Sequence, residues 1–528
     1  MTSVADGGLN PADYGVPTLT PAALLDARAE QFPDRVLMRI GNEDITFAQL
    51  RDRSNAAADA LVALGVSQGD TVALFGGTTP EWVYFWLGAA RLGAVSAAIN
   101  AANKGDYLRH ALAITRARVV VVDSGERSHR VEQVAADLPV VSTLASREVL
   151  RESPASPARI AFAADDLGTA AYFFTSGTTG LSKAVAVSWR YLFSVAAAMA
   201  SAWGFREGEV IWSAMPLFHL SAAATVLAPL LIGGTGVLAT EFRPNQVWDE
   251  IRACGAVGFV GAGAMVSMLW NLPPDGNDAE LPLRFISAAP IPAETYRAIE
   301  ERYGCRLVTV YGLTEAFPIA VKSVSDEGVP GTSGTISPNF EVGVLDRYGV
   351  RNSEGVGEIV CRARIPGVMS LGYLNPQAPD VLALQPREEW FRTGDVGRLD
   401  AHGNLTYLDR VKDSIRRRGE NVSSLEVEAV VTQYPDISEA AAIAVPSDLG
   451  EDDILIVVVS SAVHAPDPVA LLDFCADRMP YFCVPRYVRV VTELPKNIVG
   501  RVRKDLLRSA GTDNDSWDRE AHGYVVRR

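Results

Sequence analysis

The densest run of chemically useful side chains is Thr175-Ser-Gly-Thr-Thr-Gly-Leu-Ser-Lys183. Hydroxyls and open backbone N–H groups can wrap phosphate oxygens, glycine admits their close approach, and lysine supplies charge. The run follows an apolar, strand-like segment, Ala170 to Phe174, and so reads as a phosphate-holding loop. It is not the Walker pattern, which needs Gly-x-x-x-x-Gly-Lys-Ser/Thr opening a helix. Here Gly177 and Gly180 stand too close together, and Lys183 is followed by Ala184. Ser/Thr/Gly runs also build surface linkers, so this stretch alone leaves both readings open.

Two more blocks carry chemistry. Tyr311-Gly-Leu-Thr-Glu-Ala316 falls at the carboxyl end of an expected strand, Leu307 to Tyr311. Ligands of open α/β sheets bind at that edge, and an adjacent hydroxyl and carboxylate suit a phosphate oxygen and its Mg2+. Taken alone, the Thr314–Glu315 pair would more simply be a helix cap. The second block runs from Phe391 to Arg410. Its Asp395 can take both hydroxyls of a ribose, the role acidic residues play in other nucleotide folds. Asp400-Ala-His-Gly403 reads as a tight hairpin turn, with His402 a solvent-facing turn residue.

These residues need a frame. Helices are expected at Thr20 to Gln31, Ile45 to Leu64, Pro80 to Leu92 and Tyr107 to Thr115. Strands are expected at Asp70 to Gly76, Ala94 to Ile99 and Ala117 to Val122. Strands alternating with helices mean a parallel sheet covered on both faces. The rhythm resumes after the loop with helices at Tyr191 to Trp203, Val247 to Cys254 and Ala293 to Tyr303, and strands at Val210 to Met215 and Gly258 to Val260. From Gly331 to Asp409, short apolar runs broken by Gly, Pro and Asn predict hairpins. Beyond it come a basic run, Val411 to Gly419, a helix at Ser424 to Tyr434, strands at Ala441 to Val445 and Ile454 to Val459, a helix at Val469 to Arg478 and a strand at Tyr487 to Val491. The expected fold is α/β: a large N-terminal domain (1–409) of mixed sheets plus a β-rich subdomain, and a small mobile α+β domain (410–528) with its hinge at 409–413.

At 528 residues the chain is too long for one core. Hydrophobic residues make up 48% and charged residues 21%, as in a soluble globular protein, and the net charge of −15 argues against nucleic-acid binding. The five cysteines are scattered, without a CxxC pair, so neither a zinc site nor a disulfide framework is expected. Met1 to Gly15 lacks the basic and apolar regions of a signal peptide. Ser221 to Val237 is the most apolar stretch, but its glycines predict a buried helix and turn in place of a membrane span. A cytoplasmic protein fits.

In order and spacing, these blocks resemble the adenylate-forming superfamily of acyl-CoA synthetases, firefly luciferase and peptide-synthetase adenylation domains. The resemblance runs from Thr46-Phe-Ala-Gln-Leu50 to Trp517-Asp-Arg-Glu520. Arg417-Arg-Gly-Glu-Asn-Val422 and Met479-Pro-Tyr-Phe-Cys-Val-Pro-Arg486 look most like the carnitine/crotonobetaine-CoA ligase-like branch. The resemblance implies that a carboxylate attacks the α-phosphate of ATP, expels pyrophosphate and leaves an acyl-adenylate, which CoA then takes as a thioester. It implies phosphate contacts from Thr175, Ser176, Gly177, Thr178, Thr179, Gly180 and Lys183. It also implies an adenine site at Ser287, Ala288, Ala289, Pro290, Tyr311 and Gly312, and ribose contacts from Asp395 and Arg410. Thr314 would touch the α-phosphate and Glu315 the Mg2+. His219, Gly263 and Phe317 would line the acyl pocket, and Lys412 would be the hinge. Gly419, Glu420 and Asn421 would form the face that admits the acceptor thiol after the small domain rotates. A homodimer is compatible.

The chain departs from the family at Arg501, where a lysine is usual that bridges the acid and the α-phosphate. Arginine keeps the charge but not the point-charge geometry. Lys504, one helical turn on, could substitute, as could Lys496. Ala184 stands where glycine is usual, and Trp189 where histidine is common. Two further readings stay open: the same adenylate passed to an amine or other small nucleophile, and a nucleotide-binding protein without turnover.

Overall fold

The computed structural model describes residues 9–526 except 17, 141, 147–164, 176–181, 292, 347, 376–381, 384–389, 411–413, 419, 448–449, 461–464, 496–501 and 514. Two large sheets dominate it. One has eight strands, with Lys183–Ser188 and Thr169–Thr175 beside Val95–Ile99, Thr71–Phe75 and Val119–Val122. The other has seven, with Arg306–Val308, Phe285–Ser287, Gly258–Val260 and Val210–Ser213 in succession. Thr71–Phe75, Val95–Ile99 and Val119–Val122 are buried along their whole length, as parallel strands covered on both faces must be.

The main core lies among helices Phe47–Ala63, Pro80–Arg91, Trp189–Trp203 and Leu220–Ile232, which fill the space beside these sheets. Local chemistry starts them. Thr46 and Gln49 form a reciprocal capping box, and Thr79 caps a helix that opens on Pro80. Phe47–Ala63 and Pro80–Arg91 meet at Gly88, where a Cβ would lie 2.9 Å from both the Ala57 Cβ and the Ala58 nitrogen. Beside that crossing, buried Arg91 donates to the Ser54 hydroxyl (2.8 Å) and forks onto Asp26 (2.6 and 3.2 Å).

A five-stranded antiparallel sheet that includes Gly355–Ala363, Phe391–Leu399 and Leu405–Arg410 forms the β-rich subdomain, and Asp400 holds its expected turn by accepting from the His402 and Asn404 amides. The small C-terminal domain carries the hairpin Ser414–Arg417/Glu420–Ser423, helix Ser424–Val431 and a four-stranded sheet with its own apolar core.

Three expectations need correction. Leu307 to Tyr311 is not one strand: Arg306–Val308 ends the seven-stranded sheet, and Val310–Leu313 belongs to a separate three-stranded antiparallel sheet. The break is at Thr309, whose hydroxyl donates to the Thr332 carbonyl and whose own carbonyl takes the Lys322 amide. Consequently Thr314 and Glu315 are not a helix cap. They are the two turn residues of the hairpin Val310–Leu313/Ala316–Val321, closed by the Leu313–Ala316 pair. The helix and turn expected within Ser221 to Val237 are there, as helix Leu220–Ile232 and a turn at Gly233, and a parallel strand, Thr235–Leu238, follows. Strands Val36–Ile40 and Glu43–Thr46 are additions to the expected elements, and Ile45 belongs to the second of them, not to the helix that follows. All five cysteines are free, and no helix among the described residues is long and apolar enough to cross a membrane.

Candidate active site

The Ser/Thr/Gly loop joins two antiparallel strands. Thr169–Thr175 runs into it, Lys183–Ser188 leaves it, and Thr175 pairs with Lys183 across its base. This is a different connection from the strand-to-helix turn of a Walker loop. Ser176, Gly177, Thr178, Thr179 and Gly180 lie outside the described residues.

Strand Gly372–Leu374 pairs with Lys183–Ser188 in this sheet, with Tyr373 opposite Val185. Lys183 is two residues from Val185 and therefore on the same face as Tyr373. Its Nζ sits 4.6 Å from the Tyr373 ring centre. The Tyr373 hydroxyl donates to Glu315 Oε1 at 2.6 Å, and the Ser370 amide donates to the Glu315 carbonyl at 2.8 Å. Burial, then the Glu315 charge, pushes the Tyr373 phenol well above its ordinary range, so it stays a donor. On the other side of the turn, Tyr191 donates to the Thr314 carbonyl at 3.1 Å. The Thr314–Glu315 turn is thus fixed beside Lys183 through hydroxyls of two tyrosines.

Tyr311, on the same hairpin, donates to Asp395 Oδ2 at 2.9 Å, and both residues are buried. Burial, with the Asp395 charge second, raises the Tyr311 phenol well above 10. Tyr407 stacks near Tyr311, with centroids 6.1 Å apart, and Arg410 pairs with Asp395 in strand register. The two expected ribose residues are therefore neighbours in one sheet, and the expected adenine residue is bonded to one of them.

Ser287 ends a strand, and the segment after it closes on the acyl-pocket candidates. The Gly261 and Gly263 amides donate to the Ser287 and Ala289 carbonyls (3.0 and 3.1 Å). A Cβ on Gly263 would fall 2.0 Å from the Pro290 oxygen, so no larger residue fits there. Likewise a Cβ on Gly312 would meet the Phe317 ring at 2.7 Å. Ala288 is buried.

His219 stands just before helix Leu220–Ile232, and its Nε2 lies 2.9 Å from Glu420 Oε1 of the small domain. The Glu420–Ser423 strand thus touches the acyl-pocket candidates at His219. Asn421 pairs with Arg416 in that hairpin, while Gly419 and Lys412 lie outside the described residues. Lys504 starts helix Lys504–Ala510 and is tied within the small domain to Glu428 and to the Ser424 hydroxyl, the latter at 2.8 Å. Arg501 and Lys496 are outside the described residues.

Residues 25–374 match the family model described as AMP-binding enzyme, and 426–501 match the AMP-binding enzyme C-terminal domain. The chain belongs to the AMP-binding enzyme family. Among its relatives in this family is a crotonobetaine/carnitine–CoA ligase of Salmonella paratyphi B, 29% identical over 492 residues, covering 88% of this chain and 93% of the relative. A probable CoA ligase of Humulus lupulus is 28% identical over 508 residues, covering 93% and 96%. Among solved structures, an amide bond synthetase of Marinactinospora thermotolerans superimposes with a TM-score of 0.81 at 26% identity, covering 93% of this chain and all of the other. A double mutant of the o-succinylbenzoate CoA synthetase of Bacillus subtilis, bound with a product analogue, gives 0.81 at 25% identity, covering 92% and 98%. These relatives are adenylate-forming enzymes, as the order of the sequence blocks implies.

Sequence reasoning passed over Tyr373, Tyr191 and Glu426. Tyr373 sits in a short apolar run, Leu371-Gly-Tyr-Leu374, and only the sheet register brings it to Glu315.

Proposed function

We propose that this AMP-binding family member activates an organic acid in two steps at the site described above. It is an AMP-forming acid–CoA ligase: ATP and a carboxylate give acyl-adenylate and pyrophosphate, and the CoA thiol then takes the acyl group as AMP leaves. The observation that carries this reading is the Thr314–Glu315 turn, held between Lys183 on one side and the Tyr311–Asp395 pair on the other. That arrangement supports a nucleotide laid with its ribose at Asp395 and its phosphates toward Lys183.

Thr175 and Lys183, with Ser176, Gly177, Thr178, Thr179 and Gly180, hold the phosphates. Thr314 contacts the α-phosphate. Asp395 and Arg410 take the ribose, while Ser287 to Pro290, Tyr311 and Gly312 flank adenine. The charge to be neutralised lies on phosphate oxygens, so catalysis is positioning and electrostatics. Mg2+ in such sites is held by one or two carboxylates plus phosphate oxygens and water. Buried Glu315, oriented by Tyr373, fits that role, and the ion would supply charge neutralisation at the phosphates.

For Lys504 to bridge acid and α-phosphate, it must leave Glu428 as the small domain (410–528) turns about Lys412. Comparing pyrophosphate release by Arg501→Ala and Lys504→Ala decides which residue acts. His219, Gly263 and Phe317, with the apolar cluster of Met215, Ala262 and Met265, support an acid with a medium or aromatic body. Gly419, Glu420 and Asn421 form the acceptor face. A cytoplasmic location and a homodimer fit this reading; size-exclusion mass measurement tests the latter.

Enzyme, ATP, Mg2+ and a panel of carboxylic acids should release pyrophosphate and AMP, with an acyl-CoA mass appearing when CoA is added. Adenylate without thioester, together with product from an added amine, would move the acceptor to an amine and bring the chain closer to the Marinactinospora amide bond synthetase. ADP in place of AMP overturns the reading.

A further inference from the structure

Glu426 lies in helix Ser424–Val431 of the small domain and carries none of the roles given above. Its Oε1 accepts two hydrogen bonds from one residue of the large domain, the Ser182 amide and the Ser182 hydroxyl (2.9 Å). Ser182 is the last residue of the Ser/Thr/Gly loop before Lys183. Its carbonyl is held from behind by His110 Nε2 at 2.8 Å. The carboxylate is 5% exposed, and Asn103, Tyr107, His110, Ala111 and Phe174 line the small pocket around it with Ser182. Two donors of the loop thus hold a buried carboxylate, and a second anion in the loop would act on it directly.

We infer that Glu426 is a positioning residue that couples departure of pyrophosphate to seating of the small domain for the thioester step. The inference rests on the reading of Thr175 to Lys183 as the phosphate loop. With triphosphate or pyrophosphate in the loop, its negative charge opposes a carboxylate bonded to the loop's own final residue. Once pyrophosphate leaves, Ser182 offers both donors to Glu426, and the same seating puts Glu420 at His219. The loop thus reports its own occupancy to the domain that must move next.

Two variants of the full-length enzyme separate charge from contact. Glu426→Ala removes the contact and should slow single-turnover thioester formation from acyl-adenylate and CoA by about tenfold or more, while acid-dependent ATP–pyrophosphate exchange stays within about twofold. Glu426→Gln keeps acceptor oxygen and shape without the charge. It should form thioester within a few-fold of wild type. Pyrophosphate alone should raise amide hydrogen exchange across 424–431 in wild type, and the change should be at least several-fold smaller in Glu426→Gln. Equal slowing of both half-reactions by Glu426→Ala would mean a merely structural role and overturns the inference. So does unchanged pyrophosphate sensitivity in Glu426→Gln. The hydrogen-exchange arm needs no turnover, so its failure is distinct from failure of the adenylation reading, which is an absence of exchange in wild type with every acid tried.

Discussion

Two carboxylates, Glu315 and Asp395, are each steadied by a tyrosine hydroxyl, and the two tyrosines are raised so far above the physiological range that they remain donors. Removing one hydroxyl takes a charge-assisted bond from a buried acid, a loss of about 1–3 kcal/mol. Tyr373→Phe should accordingly lower acid-dependent pyrophosphate release about tenfold and raise the Mg2+ concentration needed for half-maximal rate. A Mg2+ requirement identical to wild type would show that Tyr373 does not orient Glu315. Glu426 offers a pH test. Burial, opposed by the Ser182 bonds, pushes its carboxyl up to about 7. Of the groups facing it, burial raises the Tyr107 phenol and the Cys483 thiol out of that window, while burial lowers His110, which shares it, so the Glu426→Gln variant isolates the share of the carboxyl. A carboxyl raised from 4.5 binds more protons docked than undocked, so seating weakens as pH rises from about 4.5 to about 7 and is flat above. Hydrogen exchange across 424–431, corrected for intrinsic rates, should show greater protection at pH 6 than at pH 8 in wild type and a clearly smaller difference in Glu426→Gln.

At the scale of elements, the sequence is legible where one rule governs a segment. The alternation from Thr71 to Val122 and the Thr46 capping box are readable because buried parallel strands are continuous apolar runs and caps are local. The Thr314–Glu315 hairpin is not. Val308, Thr309 and Val310 look like one β-rich run, and the switch between sheets at Thr309 depends on Thr332 and Lys322, partners distant in sequence. Tyr373 is hidden for the same reason, since the pairing of Gly372–Leu374 with Lys183–Ser188 joins segments far apart in the chain. The helix crossing at Gly88 shows what local propensity misses in the opposite direction. Alanine would favour the isolated helix by about 1 kcal/mol. Its Cβ, however, meets the Ala57 Cβ and the Ala58 backbone nitrogen at 2.9 Å and the Ser54 oxygen at 3.1 Å, two of which are backbone atoms that cannot swing aside. Overpacking of this kind costs about 1–3 kcal/mol. Gly88→Ala should lower Tm by a degree or more, and Gly88→Leu by several degrees more. A Gly88→Ala variant more stable than wild type in differential scanning calorimetry would mean that the two helices part at little cost.

Among the described residues, the groups that join the two domains differ in kind. His219–Glu420 and Ser182–Glu426 are polar and depend on charge. Tyr107 is different: it belongs to helix Gly105–Thr115 of the large domain, yet it packs into the apolar core of the small one with Ile415, Val422 and Val427. Deleting such a ring costs about 3–5 kcal/mol where it is fully buried in a core. Here much of that loss should fall on seating of the small domain, because the ring belongs to the small domain's apolar cluster and not to the main core of the large one. Tyr107→Ala should therefore slow thioester formation by about tenfold or more and leave ATP–pyrophosphate exchange near wild type, as Glu426→Ala does. The two variants should part company when pyrophosphate is added. Tyr107→Ala keeps the Glu426 charge, so pyrophosphate should raise exchange across 424–431 in it as in wild type, whereas a variant without the carboxylate has lost the group on which pyrophosphate acts. If Tyr107→Ala instead abolishes both half-reactions and lowers the main unfolding transition by many degrees, the ring is a keystone of the large domain and not the anchor of a seating equilibrium.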